Sequence, residues 1–441
     1  MARHRNGAGR AATWLLVLAL CAWALHAAAQ PKPSGEAGAA ADEDGPGGAK
    51  EKPSGPDLSG GAFEFAGFKY TLGGFVKVDL SHDLGPRTPG PRSGDLISFS
   101  SIPLDSENPA AGGSRIHARA SRIFLATEAE TSIGPVRTHI ELDFFGQIDG
   151  NRGNDDLLTS SHEVRLRHAI LEFGGLMVGQ YWSNFMDLNS NGDSITFDGV
   201  VGKAFSRQAQ VRYTYTISQG NTLAIAVENP ETDLTRTSVT DTIYRVNVED
   251  PAPDVTAAAR LGGGWGGFAL RGVGRYLKTR DEALDREDTA IGWGTGVSGW
   301  ISLGGPSKVH ANFIYGDGIG RYLNNNQLFA AAVDVTDESL QTITAWGALV
   351  GGTYWLGSIA GVTALYGMQR TNADELLSAA GAPLLQPAAI YTELRAIHGN
   401  VRFNLARRLS TAIGYTWGER TAGNGEKGRV SRILMDFKRV F

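Results

Sequence analysis

From Phe63 onward, apolar residues recur at every second position, a period that β-strands satisfy and helices do not. In residues 208–217, QAQVRYTYTI, Ala209, Val211, Tyr213, Tyr215 and Ile217 share one side, and Gln208, Gln210, Arg212, Thr214 and Thr216 share the other. KVHANFIY (308–315) and IHGNVRFNL (397–405) repeat the pattern. Each such run has one apolar and one polar face.

Marking every run predicts strands at 68–83, 115–131, 136–146, 164–174, 176–185, 206–218, 221–230, 254–262, 264–279, 289–304, 307–318, 342–356, 358–371, 391–406, 408–420 and 428–441. The count is sixteen, an even number. The connections sort by parity: longer loops follow odd strands, and tight turns such as Gly174-Gly175, Gln219-Gly220-Asn221 and Gly304-Gly305-Pro306 follow even ones. A sandwich or propeller has no reason to sort loops this way, whereas an outer-membrane barrel carries short turns on its periplasmic rim and long loops outside. The expected fold is an all-β, transmembrane, antiparallel up-and-down barrel of residues 63–441. Lipid demands closure, because each unpaired backbone group there costs several kcal/mol.

Composition removes other classes. Hydrophobic residues at 42% argue against a disordered chain, and a net charge of −5 against a generic nucleic-acid binder. No apolar run of helical-span length follows the first thirty positions. Before the barrel, Arg3, Arg5 and Arg10, an apolar stretch and Ala27-Ala28-Ala29 predict a signal peptide over 1–29. The one cysteine, Cys21, falls within it. Residues 30–62 carry Pro, Gly, Ala and charge without periodicity, the composition of a flexible periplasmic tail.

A passive pore has no catalytic residues, and its selectivity lies in the charges of its lumen. Alternation turns Arg115, Arg119, Arg165, Arg167 and Arg212 inward, together with Glu141 and Asp143. Arg122 is ambiguous, since Phe124 shares its parity unless a bulge intervenes. The segment after the fifth strand, residues 184–205, occupies the position at which a loop folds inward and narrows general outer-membrane pores; that likeness implies a constriction loop here, carrying Asp187, Asp193 and Asp198. Acidic groups there, opposite an arginine wall, would set up a transverse field that favours small anions. The bland alternative is that the arginines only solvate a wet wall. The same loop matches a calcium-loop pattern at Asp187, Asn189, Asn191, Asp193 and Asp198, without the helices that flank an EF-hand; a turn-rich loop is the competing reading. DGNRGNDD (149–156) is a second acidic cluster on an external loop. No catalytic, metal or phosphate-cradling motif occurs, so neither an enzyme nor a cofactor is expected.

Three stretches carry a family resemblance: RASRIFLATEAETSIGPVRTHIELDFFG (119–146), VRLRHAILEFGGLMVGQYWSNFMDL (164–188) and FSRQAQVRYTY (205–215). In these the chain resembles the DcaP-like trimeric outer-membrane porins, and the rest of the barrel matches only in architecture. The resemblance implies a homotrimer in outer-membrane lipid that passes small anionic solutes, notably dicarboxylates. The Pro/Gly-rich tail departs from the helical, coiled-coil-like segment of related porins, because it shows no heptads. The terminal Phe441 resembles the signal read by barrel-assembly machinery, although Arg439 stands where an aromatic or apolar residue is common. The competing functions are a structural or receptor-type barrel and a barrel-borne enzyme.

Overall fold

The structure, a computed structural model, describes residues 61–65, 67–85, 97–107, 112–146, 162–196, 198–230, 234–236, 244–245, 248–281, 286–325, 330–333, 339–372 and 391–441. The expected signal peptide, most of the tail and the 149–156 cluster lie outside the described residues.

Sixteen strands form one closed antiparallel sheet. They are β1 (Phe68–Asp83), β2 (in two pieces, Ser114–His117 and Arg122–Thr131), β3 (Gly134–Asp143), β4 (Arg165–Phe173), β5 (Leu176–Trp182) and β6 (Arg207–Ser218). Next come β7 (Asn221–Glu228), β8 (Asp254–Gly263), β9 (Gly266–Asp281), β10 (Arg286–Gly304) and β11 (Ser307–Asp317). The last five are β12 (Thr344–Leu356), β13 (Ala360–Thr371), β14 (Tyr391–Ala406), β15 (Leu409–Ala422) and β16 (Lys427–Val440). Each pairs with its sequence neighbours, and β16 returns to β1 with Val440 opposite Phe75 and Arg432 opposite Asp83. Closure leaves no strand edge in lipid, which is what an apolar exterior demands. Alternation sorts the faces: Leu72, Val76, Ile397, Ile413 and Ile433 are exposed outward, while Lys77, Asp79, Arg432 and Asp436 are buried inward.

Three departures from strict alternation have physical causes. β2 breaks at residues 118–121, where Ser121 N–H bonds the Ala118 carbonyl; the break shifts parity, so Arg122 and Phe124 both turn inward. The ring of Phe124 then covers Gly73, a position with no room for a Cβ. At the top of β3 and β4 the register slips between Glu141 and Leu142, making Arg167 an extra residue; Arg165, Arg167 and His168 all face the lumen. The loops expected after the ninth and fifteenth strands are hairpins instead. Opposite charges continue those ladders, with Arg280 opposite Glu287 and Glu419 opposite Arg429.

Two additions escaped the periodicity. Ala62–Phe65 folds back on Phe68–Thr71, with Phe63 stacked on Tyr70 at 5.0 Å, and covers the part of β1 that β16 does not reach. Above the long-loop rim, Leu234–Arg236, Tyr244–Arg245, Ala331–Val333 and Leu340–Thr342 form a separate four-stranded sheet.

Candidate functional site

The inner wall of β1 to β4 and β14 to β16 holds three clusters of ion pairs. Arg165 binds Asp143 through two hydrogen bonds of 2.9 and 2.6 Å. Arg167, with no exposed surface, donates to Glu141 and, at 3.2 Å, to Asp143. Arg122 lies 3.6 Å from Glu141 and over the Phe75 ring, and Arg115 lies 3.6 Å from Asp83. Arg432 clasps Asp83 at 2.6 and 3.2 Å, joining β16 to β1. Lys77 reaches Asp79 at 2.8 Å and Asp436 at 3.7 Å, and Arg402 reaches Asp436 at 3.4 Å. Seven cations, Lys77, Arg115, Arg122, Arg165, Arg167, Arg402 and Arg432, thus share five carboxylates, Asp79, Asp83, Glu141, Asp143 and Asp436. Within these pairs the cations outnumber the carboxylates; further along the same strands Arg137 pairs with Glu128 at 3.2 Å.

Of the other expected arginines, Arg119 lies with Arg165 against the Phe145 ring, at 5.4 and 5.3 Å from its centre. Arg212 stands apart on β6, 3.2 Å from the Met177 sulfur and 5.5 Å from the Tyr181 ring centre.

The segment after β5 enters the barrel because its backbone and its apolar side chains both find partners there. At its root, Arg260 donates to the Asn184 side chain and to the carbonyls of Asn184 and Met186, while Arg271 donates to the Phe185 carbonyl at 2.8 Å. At its far point, Lys77 Nζ donates to the Ile195 carbonyl at 2.8 Å and the Ile195 N–H donates to His398 Nε2 at 3.3 Å. Ile195 buries against Ala412 and Leu434. Val200 and Val201 bury with Leu349, Leu365 and Leu394. Each such fully buried side chain contributes on the order of 1.5–3 kcal/mol. On its way back the chain passes so close to β12 and β13 that Gly202 touches Gly347, backbone to backbone.

The three acidic residues of this segment take different positions. Asp187 is turned toward β9 and β10, not toward the arginines of β2 to β4. Its carboxylate accepts from Ser190 Oγ at 2.7 Å, from Ser298 Oγ and from the Asn189 N–H. Burial raises its pKa, but the Ser298 hydroxyl and the nearby Arg271 outweigh it and hold the carboxyl below its usual range. A buried carboxylate needs such partners, so the group that looked free to face the passage is spent on capping the turn Leu188–Ser190. Asp193 lies near Lys308, which donates to the Asn189 carbonyl at 3.1 Å. Asp198 lies near Lys203, whose ammonium burial pushes down to about 8 against the pull of that carboxylate. Among the described residues no group of three or more His, Cys, Asp or Glu is placed to hold a metal ion.

A second loop also contributes, which periodicity did not signal. The turn Gly320–Tyr322 after β11 inserts Tyr322, whose hydroxyl donates to Asp254 at 3.0 Å and accepts from Gln208 at 2.8 Å. The Asn324 N–H bonds the Lys203 carbonyl and the Phe205 N–H bonds that of Tyr322. The two loops are therefore zipped together inside the barrel.

A closed sheet with a lipid-facing exterior, a charged interior and loops folded into it defines a porin-type β-barrel channel. The comparisons agree. The sequence profile of the porin subfamily matches residues 106–421, and the chain belongs to that family, in the bacterial outer membrane. Porin Omp2b of Brucella suis is 31% identical over 164 residues, 36% of this chain and 42% of that one. Porin Omp2b of Brucella neotomae is 28% identical over 198 residues, 44% of this chain and 52% of that one. The match thus spans about half the length of these relatives. Among solved structures, the outer membrane channel DcaP of Acinetobacter baumannii superposes with a TM-score of 0.70 at 23% identity, over 86% of this chain and 99% of that one. An anion-selective porin from Comamonas acidovorans gives 0.50 at 10% identity, over 85% and 100%. The likeness to both structures is one of fold.

Proposed function

We propose that this chain is a diffusion pore that favours small anionic solutes such as dicarboxylates. The observation that carries the reading is the imbalance of seven cations over five carboxylates within these ion-pair clusters of β1 to β4 and β14 to β16. The loop after β5 is docked against β12 and β13, and it meets β1 through Lys77. In this reading it is the constriction, and solutes pass between it and the arginine-bearing wall. Arg115, Arg119 and Arg165 then meet the solute first, with Asp83 and Asp143 holding Arg115 and Arg165, the buried Arg167 adding its charge from behind through Glu141 and Asp143, and Arg212 lower on β6. Asp193 and Asp198 border the passage from the loop side, and Asp187 anchors the loop. An anion crossing there exchanges water for guanidinium donors already fixed by their carboxylates, at little reorganisation cost.

The same reading includes a homotrimer and recognition of Phe441 by the assembly machinery, both supported by the sequence resemblances, and export by the 1–29 signal, supported by its basic, apolar and small-residue order. Swelling of liposomes that carry the protein tests it. Succinate and similar dicarboxylates are expected to enter faster than neutral or cationic solutes of equal size. Equal rates for all three charge types would remove the anion preference.

A further inference from the structure

The outward face of the barrel changes character near its long-loop rim. On β13 to β16 the lipid-facing positions rise as successive rows across the strands, about 7 Å per two residues. The first row is Tyr366, Ile397, Trp417 and Ser431. Directly above stand Met368, Arg395, Glu419 and Arg429, and above those Arg370, Glu393, Thr421 and Lys427, with Trp346 of β12 beside Arg370. Tyr366 and Ile397 are exposed to the lipid side, and so is Arg370 in the same alternation. Beyond β1, the outward positions at the same rim of β2 to β4 are Ile116, Leu142 and Leu166, with no charge.

We propose that this charged double row binds the phosphate groups of an outer-leaflet glycolipid. The height fits: an aromatic and aliphatic row marks the interface, and headgroup phosphates begin where apolar chains end. The charges fit as well. Arg395 pairs with Glu393 at 2.7 Å and stays 40% exposed, and Arg429 pairs with Glu419 at 2.8 Å and with Asp105 at 3.1 Å. Arg370 carries no ion pair among the described residues, although it points out of the barrel wall. Arg370 and Arg395 are diagonal neighbours on adjacent strands, about 7–8 Å apart, close enough for both guanidiniums to reach one phosphate. Glu393 fixes Arg395 for that contact, as a carboxylate commonly does for a phosphate-binding arginine.

The test uses the purified, folded protein in detergent with hexa-acylated lipid A as the probe, scored by native mass spectrometry. Wild type is expected to retain lipid A at least about tenfold better than the double variant Arg370→Gln/Arg395→Gln, one decade being 1.4 kcal/mol. Dephosphorylated lipid A should bind wild type as weakly as lipid A binds the variant. Heat resistance and channel conductance of the variant should match wild type, since both side chains lie outside the lumen; the single variant Arg370→Gln covers the case in which the double variant fails to fold. Equal retention of the dephosphorylated lipid, unchanged retention by the folded variants, or displacement by inorganic phosphate at comparable affinity would overturn the proposal. The result is independent of solute preference, so the anion reading stands or falls separately.

Discussion

Replacing Gly202 by alanine is expected to raise the single-channel conductance. Gly202 has φ +90°, a region that L side chains rarely adopt, and a Cβ there would lie 2.2 Å from the Ala348 carbonyl oxygen and 2.6 Å from that of Met368. Both are backbone atoms of paired strands, so the wall cannot yield and the loop must. Overpacking of this kind costs about 1–3 kcal/mol, and the unfavourable φ adds to it, against the hydrogen bonds and the burial of Val200 and Val201 that hold this stretch. The hydrogen bond from the residue 202 N–H to Gln369 stretches or breaks as that backbone is pushed away from the wall. The loop would lift from β12 and β13 while its root stays bound by Arg260 and Arg271. Conductance in planar bilayers and heat resistance of the barrel are the two readings. A barrel of unchanged heat resistance with unchanged conductance would show that the loop does not limit flow.

The second large effect concerns Arg167. It is wholly buried and serves two carboxylates at once, so Arg167→Ala leaves Glu141 and Asp143 with a buried charge that has lost a partner. Breaking one side of a buried ion pair costs about 3–5 kcal/mol, against about 0–1 for an exposed one. Arg165 and Arg122 still neutralise part of that charge, which places the expected loss at the lower end. The barrel should unfold at lower denaturant, and its anion preference should fall as the clusters go to six cations over five carboxylates. Converting the acids as well, in Arg167→Met/Glu141→Gln/Asp143→Asn, should restore much of the stability. If the single variant unfolds like wild type, this cluster is not what braces the wall.

Much of the barrel was legible because lipid imposes one rule on every strand. Ile433, Met435 and Phe437 could face only outward, and Arg432 and Asp436 only inward, so β16 and its role in closure followed from alternation alone. The same rule pointed Arg115, Arg165, Glu141 and Asp143 inward. It failed where backbone geometry, which leaves no periodic trace, decides the outcome. The break at 118–121 settled Arg122, and the slip at Glu141 put Arg167 and His168 on one side together. What Lys77, Arg271 and Arg432 bind depends on strands far away in sequence, which no periodicity reveals. Loops were the least legible. Asp187 looked like one of three equivalent acids until its contacts with Ser190 and Ser298 set it apart, and Tyr322 gave no signal before the chain was folded.

The reversal potential of the open pore under a potassium chloride gradient tests the central claim most directly, because it reads the sign of the lumen charge in the intact protein. The surplus of cations over carboxylates predicts a potential of the sign set by chloride, reduced in Arg115→Ala/Arg165→Ala. A potential set by potassium, unchanged in that variant, would contradict it.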